Sequence, residues 1–322
     1  MHEPDLKLIA AEAPRDPEQL ESAATQVIGE LSPATRLGPV HLSVAALQRS
    51  LDYYAHAVGL ELLERSDGSA SLGVGERELL VLVEEPGATS SYGYTGLYHF
   101  ALVVPERRDL ARWLARAARE RIPLVGLSDH FVSEAIYLAD PDGHGIEIYC
   151  DRPREVWEGQ VGARMTTLQL DVDSLLGELP DPSAEAFRAL PAGTVMGHVH
   201  LKVAAISDTV RFYRDALGFA LMAQLGAQAA FLSAGGYHHH VGVNTWESAG
   251  AGAPPPGTAA LRHATIVLAD ADEAERTRRR LEQHGHAVHA DEAGAGVTVR
   301  DPAGNALLLT VGEPGARFDS AR

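Results

Sequence analysis

The chain has 322 residues, enough for two domains with sizeable cores, and its 45% hydrophobic and 22% charged content is that of a globular protein. A formal net charge of −17 argues against nucleic acid or an anionic membrane surface as the main partner. The single cysteine, Cys150, excludes a disulfide framework and suits a reducing compartment.

In chain order, residues 1–36 read as a polar tail without the basic and apolar regions of a signal peptide. No apolar run approaches the roughly 20 residues that a membrane span needs. A cytoplasmic protein is therefore the expectation.

From Gly38, "GPVHLSVAALQRSLDYYAHAVGLELL" reads as a strand, an amphipathic helix with apolar spacing of three and four, a glycine stop and a second strand. The phrase returns as "GHVHLKVAAISDTVRFYRDALGFALM" from Gly197. Without a gap, "ASLGVGERELLVLVE" from Ala70 then lies against "AFLSAGGYHHHVGVN" from Ala230. A second kind of unit begins "YHFALVV" at Tyr98 and "RHATIVL" at Arg262, and closes on the turn-and-strand phrases "DPDGHGIEIY" and "DPAGNALLLT". The fold class expected is α+β: four βαβββ modules, over about 37–92, 95–150, 196–247 and 260–312, paired into two curled mixed sheets. Modules one and two occupy 37–150, a connector with some helix fills 151–195, modules three and four occupy 196–312, and 313–322 is a C-terminal tail. The Gly/Pro-rich "AGAGAPPPGTAA" from Ala249 cannot join a central strand and reads as a linker.

In "HHHVGVN" the alternation places His239 on one strand face and His238 and His240 on the other. That raises the question of which face matters.

Four such modules, with histidines on opening strands and a glutamate after "DPDGHGI", resemble the vicinal oxygen chelate superfamily. It includes glyoxalase I, antibiotic-resistance proteins and the type I extradiol ring-cleaving dioxygenases. In "DHFVSEAIYLADPDGHGIE", His130, Tyr137, Pro141, Gly143 and Glu147 stand where extradiol enzymes carry their signature, and Ser128 departs from it. With "TGLYHFAL" and "GGYHHH", the whole is most similar to the bacterial catechol 2,3-dioxygenase branch.

The resemblance implies a divalent metal, Fe(II) with Mn(II) as the alternative, held by two histidines and one carboxylate with other positions open. Among the module pairs, Leu308 cannot ligate, so His99 and Glu147 belong to every complete site. The third ligand is then His41 or His200, according to whether module two pairs with module one or module three. The family's acid–base histidine decides for His200: "HHVGV" puts His239 in that role, whereas the matching position in module one is Leu79. His130 and Tyr137 are expected beside the metal-bound oxygens. His41 and His263 fall in an empty domain, and His198 and His240 read as orienting or surface residues.

The implied reaction is extradiol cleavage of catechol or a substituted catechol with O2. The partners are that small molecule and O2, with no nucleic acid or membrane and with a homo-oligomer left open. A glyoxalase-like lyase or isomerase, normally with a second glutamate, and a non-catalytic resistance-type binding protein are the alternatives.

Overall fold

A computed structural model describes residues 30–183, 186–291 and 294–312. The expected tails at 1–36 and 313–322 therefore fall largely outside the described residues. Module one runs β1 (Arg36–Val44), α1 (Leu47–Tyr53), β2 (Glu61–Ser66), β3 (Ser69–Val74) and β4 (Arg77–Glu84). A two-residue strand, β5 (Thr89–Ser90), leads to module two: β6 (Gly96–Val103), α2 (Arg107–Glu120), β7 (Gly126–Asp129), β8 (Ser133–Ala139) and β9 (Gly145–Asp151). The connector carries α3 (Arg154–Trp157), α4 (Val161–Arg164), β10 (Leu168–Gln169) and α5 (Val172–Leu176). Module three is β11 (Val195–Lys202), α6 (Ile206–Arg211), β12 (Ala220–Leu225), β13 (Ala229–Ser233) and β14 (Val241–Asn244). After β15 (Thr258–Ala259), module four is β16 (Leu261–Leu268), α7 (Ala271–Gln283), β17 (His289–Ala290), β18 (Gly296–Arg300) and β19 (Ala306–Val311).

The strands pair across, not along, the sequence. A nine-stranded sheet has the order β10-β7-β8-β9-β6-β11-β14-β13-β12, joining modules two and three through antiparallel β6 and β11. An eight-stranded sheet, β17-β18-β19-β16-β1-β4-β3-β2, joins modules one and four through β1 and β16. These are called the inner and outer sheets below, after the positions of their modules in the chain. Register repeats between them: His99 faces His200, and His263 faces His41. In the same way Glu147 pairs with Ala101, and Leu308 with Thr265.

Modules adjacent in sequence meet instead through their helices and turns. Helix α2 buries Leu110, Ala111, Trp113, Leu114 and Ala117, the three-and-four spacing of one face. Trp113 has no solvent exposure and donates its indole N–H to the carbonyl of Val58 at 2.9 Å, so its large apolar surface is buried without stranding a donor. In the turn before β9, Asp140 accepts the backbone N–H groups of Asp142 and His144, and the hydroxyl of Tyr54 from module one at 2.9 Å. Module four repeats the device, with Asp301 accepting from Ala303, Asn305 and Tyr213. One apolar core consequently runs through both sheets.

The connector packs α3 and α4 on the inner sheet, where Trp157 and Val161 meet Met222, Ala223 and Phe231. Among the described residues, no helix is long and apolar enough to cross a membrane.

Candidate metal centre and active site

The inner sheet curls around a cavity of about 800 Å³, with connector residues 162–167 along its wall. Strand β6 points His99 into it, β9 points Glu147, and β11 points His198, His200 and Lys202, which alternate on one face. Two glycines make room: a Cβ at Gly145 would meet the Tyr98 carbonyl at 2.1 Å, and one at Gly242 would press on the His200 ring at 3.0 Å.

Three atoms converge at the base. Nε2 of His99 and Nε2 of His198 lie 3.2 Å apart, and each is 3.0 Å from Oε2 of Glu147. Ligands standing at about 2.1 Å from one ion, at right angles, are roughly 3.0 Å from one another. The triangle thus has the spacing of a facial triad. Its protonation also fits: burial alone would raise the Glu147 carboxyl, but the His198 and His99 imidazoles hold it well below the usual carboxylate range. Burial lowers His198 to about 4 against the opposing pull of Glu147. For Glu147 and His198 these are the metal-binding forms, an ionised carboxylate and a neutral imidazole.

Of the three residues expected to ligate, His99 and Glu147 meet, while the third corner is His198 and not His200. His200 is two residues along the same face. Its ring sits edge-on to Tyr98 and His99 with Trp246 beside it, and its Nε2 has no hydrogen-bond partner. The repeat favours His200 over His198 because the two "VHL" phrases match at His41 and His200. The signal lay in the mismatch: where module three has His198, module one has Pro39.

The other expected residues surround the triangle. His130 donates Nδ1–H to the Thr166 carbonyl at 2.8 Å, so its Nε2 accepts the Tyr137 hydroxyl at 2.7 Å. Tyr137 stands opposite Glu147 in register, and burial, with that carboxylate's charge, keeps its hydroxyl protonated far above the ordinary range. His239 lines the cavity with its ring 4.1 Å from that of His198. Burial and the neighbouring His198 and His238 push its pKa well below 6.5, so it is a neutral base.

Two details of the hairpin differ from the expectation. Strand β14 begins only at Val241, so 238–240 do not alternate: His238 stands directly behind His239, with the two Nδ1 atoms 2.8 Å apart, and His240 turns away to Ser233. The hairpin is also one residue longer than its module-one counterpart. Pairing β1 with β4 and β11 with β14 sets His41 beside Val81 but His200 beside Gly242. Glu78, not Leu79, is therefore the counterpart of His239. The extra residue is accommodated at Gly235 and Gly236, both with left-handed backbone (φ 60° and 69°).

The model of the Glyoxalase/Bleomycin resistance protein/Dioxygenase superfamily matches residues 36–148 and 195–309. The chain belongs to this superfamily. Within it, the chain is 40% identical over 285 residues to a catechol-2,3-dioxygenase of Bacillus subtilis (strain 168), covering 86% of this chain and 97% of that one. Solved structures share the fold at lower identity. A dioxygenase-like chain from Bacillus subtilis superposes with a TM-score of 0.58 at 17% identity, over 87% of this chain and 86% of that one. Glyoxalase I from Zea mays gives 0.52 at 16% identity, over 86% and 92%.

Proposed function

We propose that this protein is a metal-dependent extradiol dioxygenase that cleaves catechol or a substituted catechol with O2. The observation that carries the reading is one cavity in which a two-histidine, one-carboxylate triangle is bordered by His239 and by the Tyr137–His130 pair. The Bacillus relative's activity agrees with it. Two imidazoles and one carboxylate suit Fe(II) or Mn(II) better than the second-glutamate arrangement expected of a glyoxalase.

His99, Glu147 and His198 would hold the ion, with His198 replacing His200 as third ligand. When bound, the ion supplies Lewis acidity toward the diol and, as a redox metal, the means to use O2. The rest falls to this chain's own groups. Neutral His239 takes a hydroxyl proton from the catechol and returns it later in the cycle, a role suited to an uncharged imidazole at the reacting face. Tyr137, whose hydroxyl proton goes to His130, presents its oxygen as an acceptor to a catechol hydroxyl and helps to hold the ring in register. The apolar rings of Phe231 and Trp246 line the cavity and limit water.

Protein loaded anaerobically with Fe(II), then given catechol and air, should take up one O2 per ring opened and form a muconic semialdehyde. Metal-loaded protein that leaves catechol intact but isomerises a glutathione hemithioacetal would replace this reading with the lyase one.

A further inference from the structure

Behind His239 lies a chain of hydrogen bonds that leads away from the cavity. His238 is fully buried, and its Nε2 is 2.7 Å from Oδ1 of Asp151 at the end of β9. Its Nδ1 is 2.8 Å from Nδ1 of His239. The other oxygen of Asp151 accepts the Tyr237 hydroxyl at 2.9 Å, and Tyr237 in turn lies 2.7 Å from the Tyr149 hydroxyl. The rings of Tyr149 and Trp157 pack edge-on against His238 and fix its plane.

We propose that Asp151 and His238 are positioning residues that hold His239 in a single tautomer, with its Nε2 lone pair open to the cavity. A carboxylate only accepts, so Asp151 requires the proton of His238 on Nε2. A neutral His238 then has a lone pair on Nδ1, which requires the proton of His239 on its Nδ1. His239 is left with a bare Nε2 on the opposite edge of its ring, the edge that can take a proton from substrate. A carboxylate that fixes an imidazole's tautomer at one remove is a known way to prepare a base. Here the instruction passes through a second imidazole. Tyr237 contributes by holding Asp151, with Tyr149 donating to Tyr237. His238 and Asp151 need not touch substrate.

The inference rests on the reading of His239 as the proton-transfer group, but its test does not. Zn(II)-loaded protein with 15N-labelled histidine should show His239, assigned by its loss in His239→Gln, with a protonated Nδ1 and a bare Nε2. His238→Phe should convert that signal to the other tautomer or a mixture, with metal content and folding unchanged. His238→Asn, whose Oδ1 offers an acceptor near the place of Nδ1, should restore it. With Fe(II), kcat on catechol should fall roughly 10- to 100-fold in His238→Phe, with KM within about twofold, and recover in His238→Asn. A wild-type His239 that carries its proton on Nε2, as it would if His238 were an imidazolium donating to both neighbours, overturns the proposal. So does a tautomer that His238→Phe leaves unchanged. Absence of catechol turnover in a protein with the expected NMR signature would overturn the dioxygenase reading alone.

Discussion

The inner and outer sheets are built alike, with the same strand order, the same facing histidines and the same aspartate-centred turns, yet among the described residues only the inner one gathers metal-ligating groups. Place for place, His99 corresponds to His263, His198 to Pro39, Glu147 to Leu308 and His239 to Glu78. In the outer sheet the carboxylate's place is taken by a buried leucine, and the rings of His41 and His263 stack at 3.9 Å. The frame therefore does not make the site. A few side chains do, and the fold accepts either set: imidazoles and a carboxylate around a cavity in one sheet, a leucine and two stacked imidazoles in the other.

The largest effect should separate His198 from His200. His198→Ala should reduce bound Fe(II) or Mn(II) from about one ion per chain to near none, with turnover lost. His200→Ala should keep its metal, and elemental analysis of the two variants decides. Equal metal loss in both would return His200 to the ligand set. Next in size is His239→Gln, which should retain metal and lose roughly 10²- to 10⁴-fold in turnover, while His240→Gln stays within a few-fold of wild type.

The same residue sets a pH signature. The neutral imidazole is the active form, and its pKa lies below 6.5, so activity should persist through pH 6.5 and fall only at more acid pH. That acid limb should be missing in His239→Gln, and an unchanged limb would assign it to another group. Tyr137→Phe removes the hydroxyl that joins His130 to the cavity and should cost roughly 10- to 100-fold in kcat with metal intact. A variant as fast as wild type would make Tyr137 part of the packing. The smallest effect is expected across the comparison, in the outer sheet. His41→Ala should leave metal content and rate unchanged and lower stability by about 1 kcal/mol, read from denaturant midpoints. Loss of metal there would mean that the outer sheet is not empty.

Much of this was legible because repeats carry their own alignment. The four modules and the exclusion of module four by Leu308 follow from comparing copies, whereas the pairing of module two with module three rests on the family's acid–base histidine set against its module-one counterpart, Glu78 or Leu79 alike being unable to play that part. His130, Tyr137 and Glu147 followed from one family motif. What escaped was finer than a repeat can show. His198 and His200 share a strand face, so period-two reasoning cannot choose between them. The choice turned on Pro39, a residue that breaks the match. Alternation sets His238 facing away from His239 only if it is carried three residues ahead of β14, into a turn where it has no force. The same hairpin's extra residue moved the counterpart of His239 from Leu79 to Glu78.

The interleaved strand order also sets a timetable. All residues of the inner sheet leave the ribosome as one unbroken stretch, and β6 can find β11 as soon as module three emerges. Module one is synthesised first but must wait for β16, with the edge of β1 unpaired, until nearly the whole chain exists. Closing so long a loop adds little to its entropic cost, so the delay is one of time and not of stability. The sheet that holds the candidate metal centre can thereby assemble before the other. A circular permutant opened in the connector would bring modules four and one together in sequence and reverse that order.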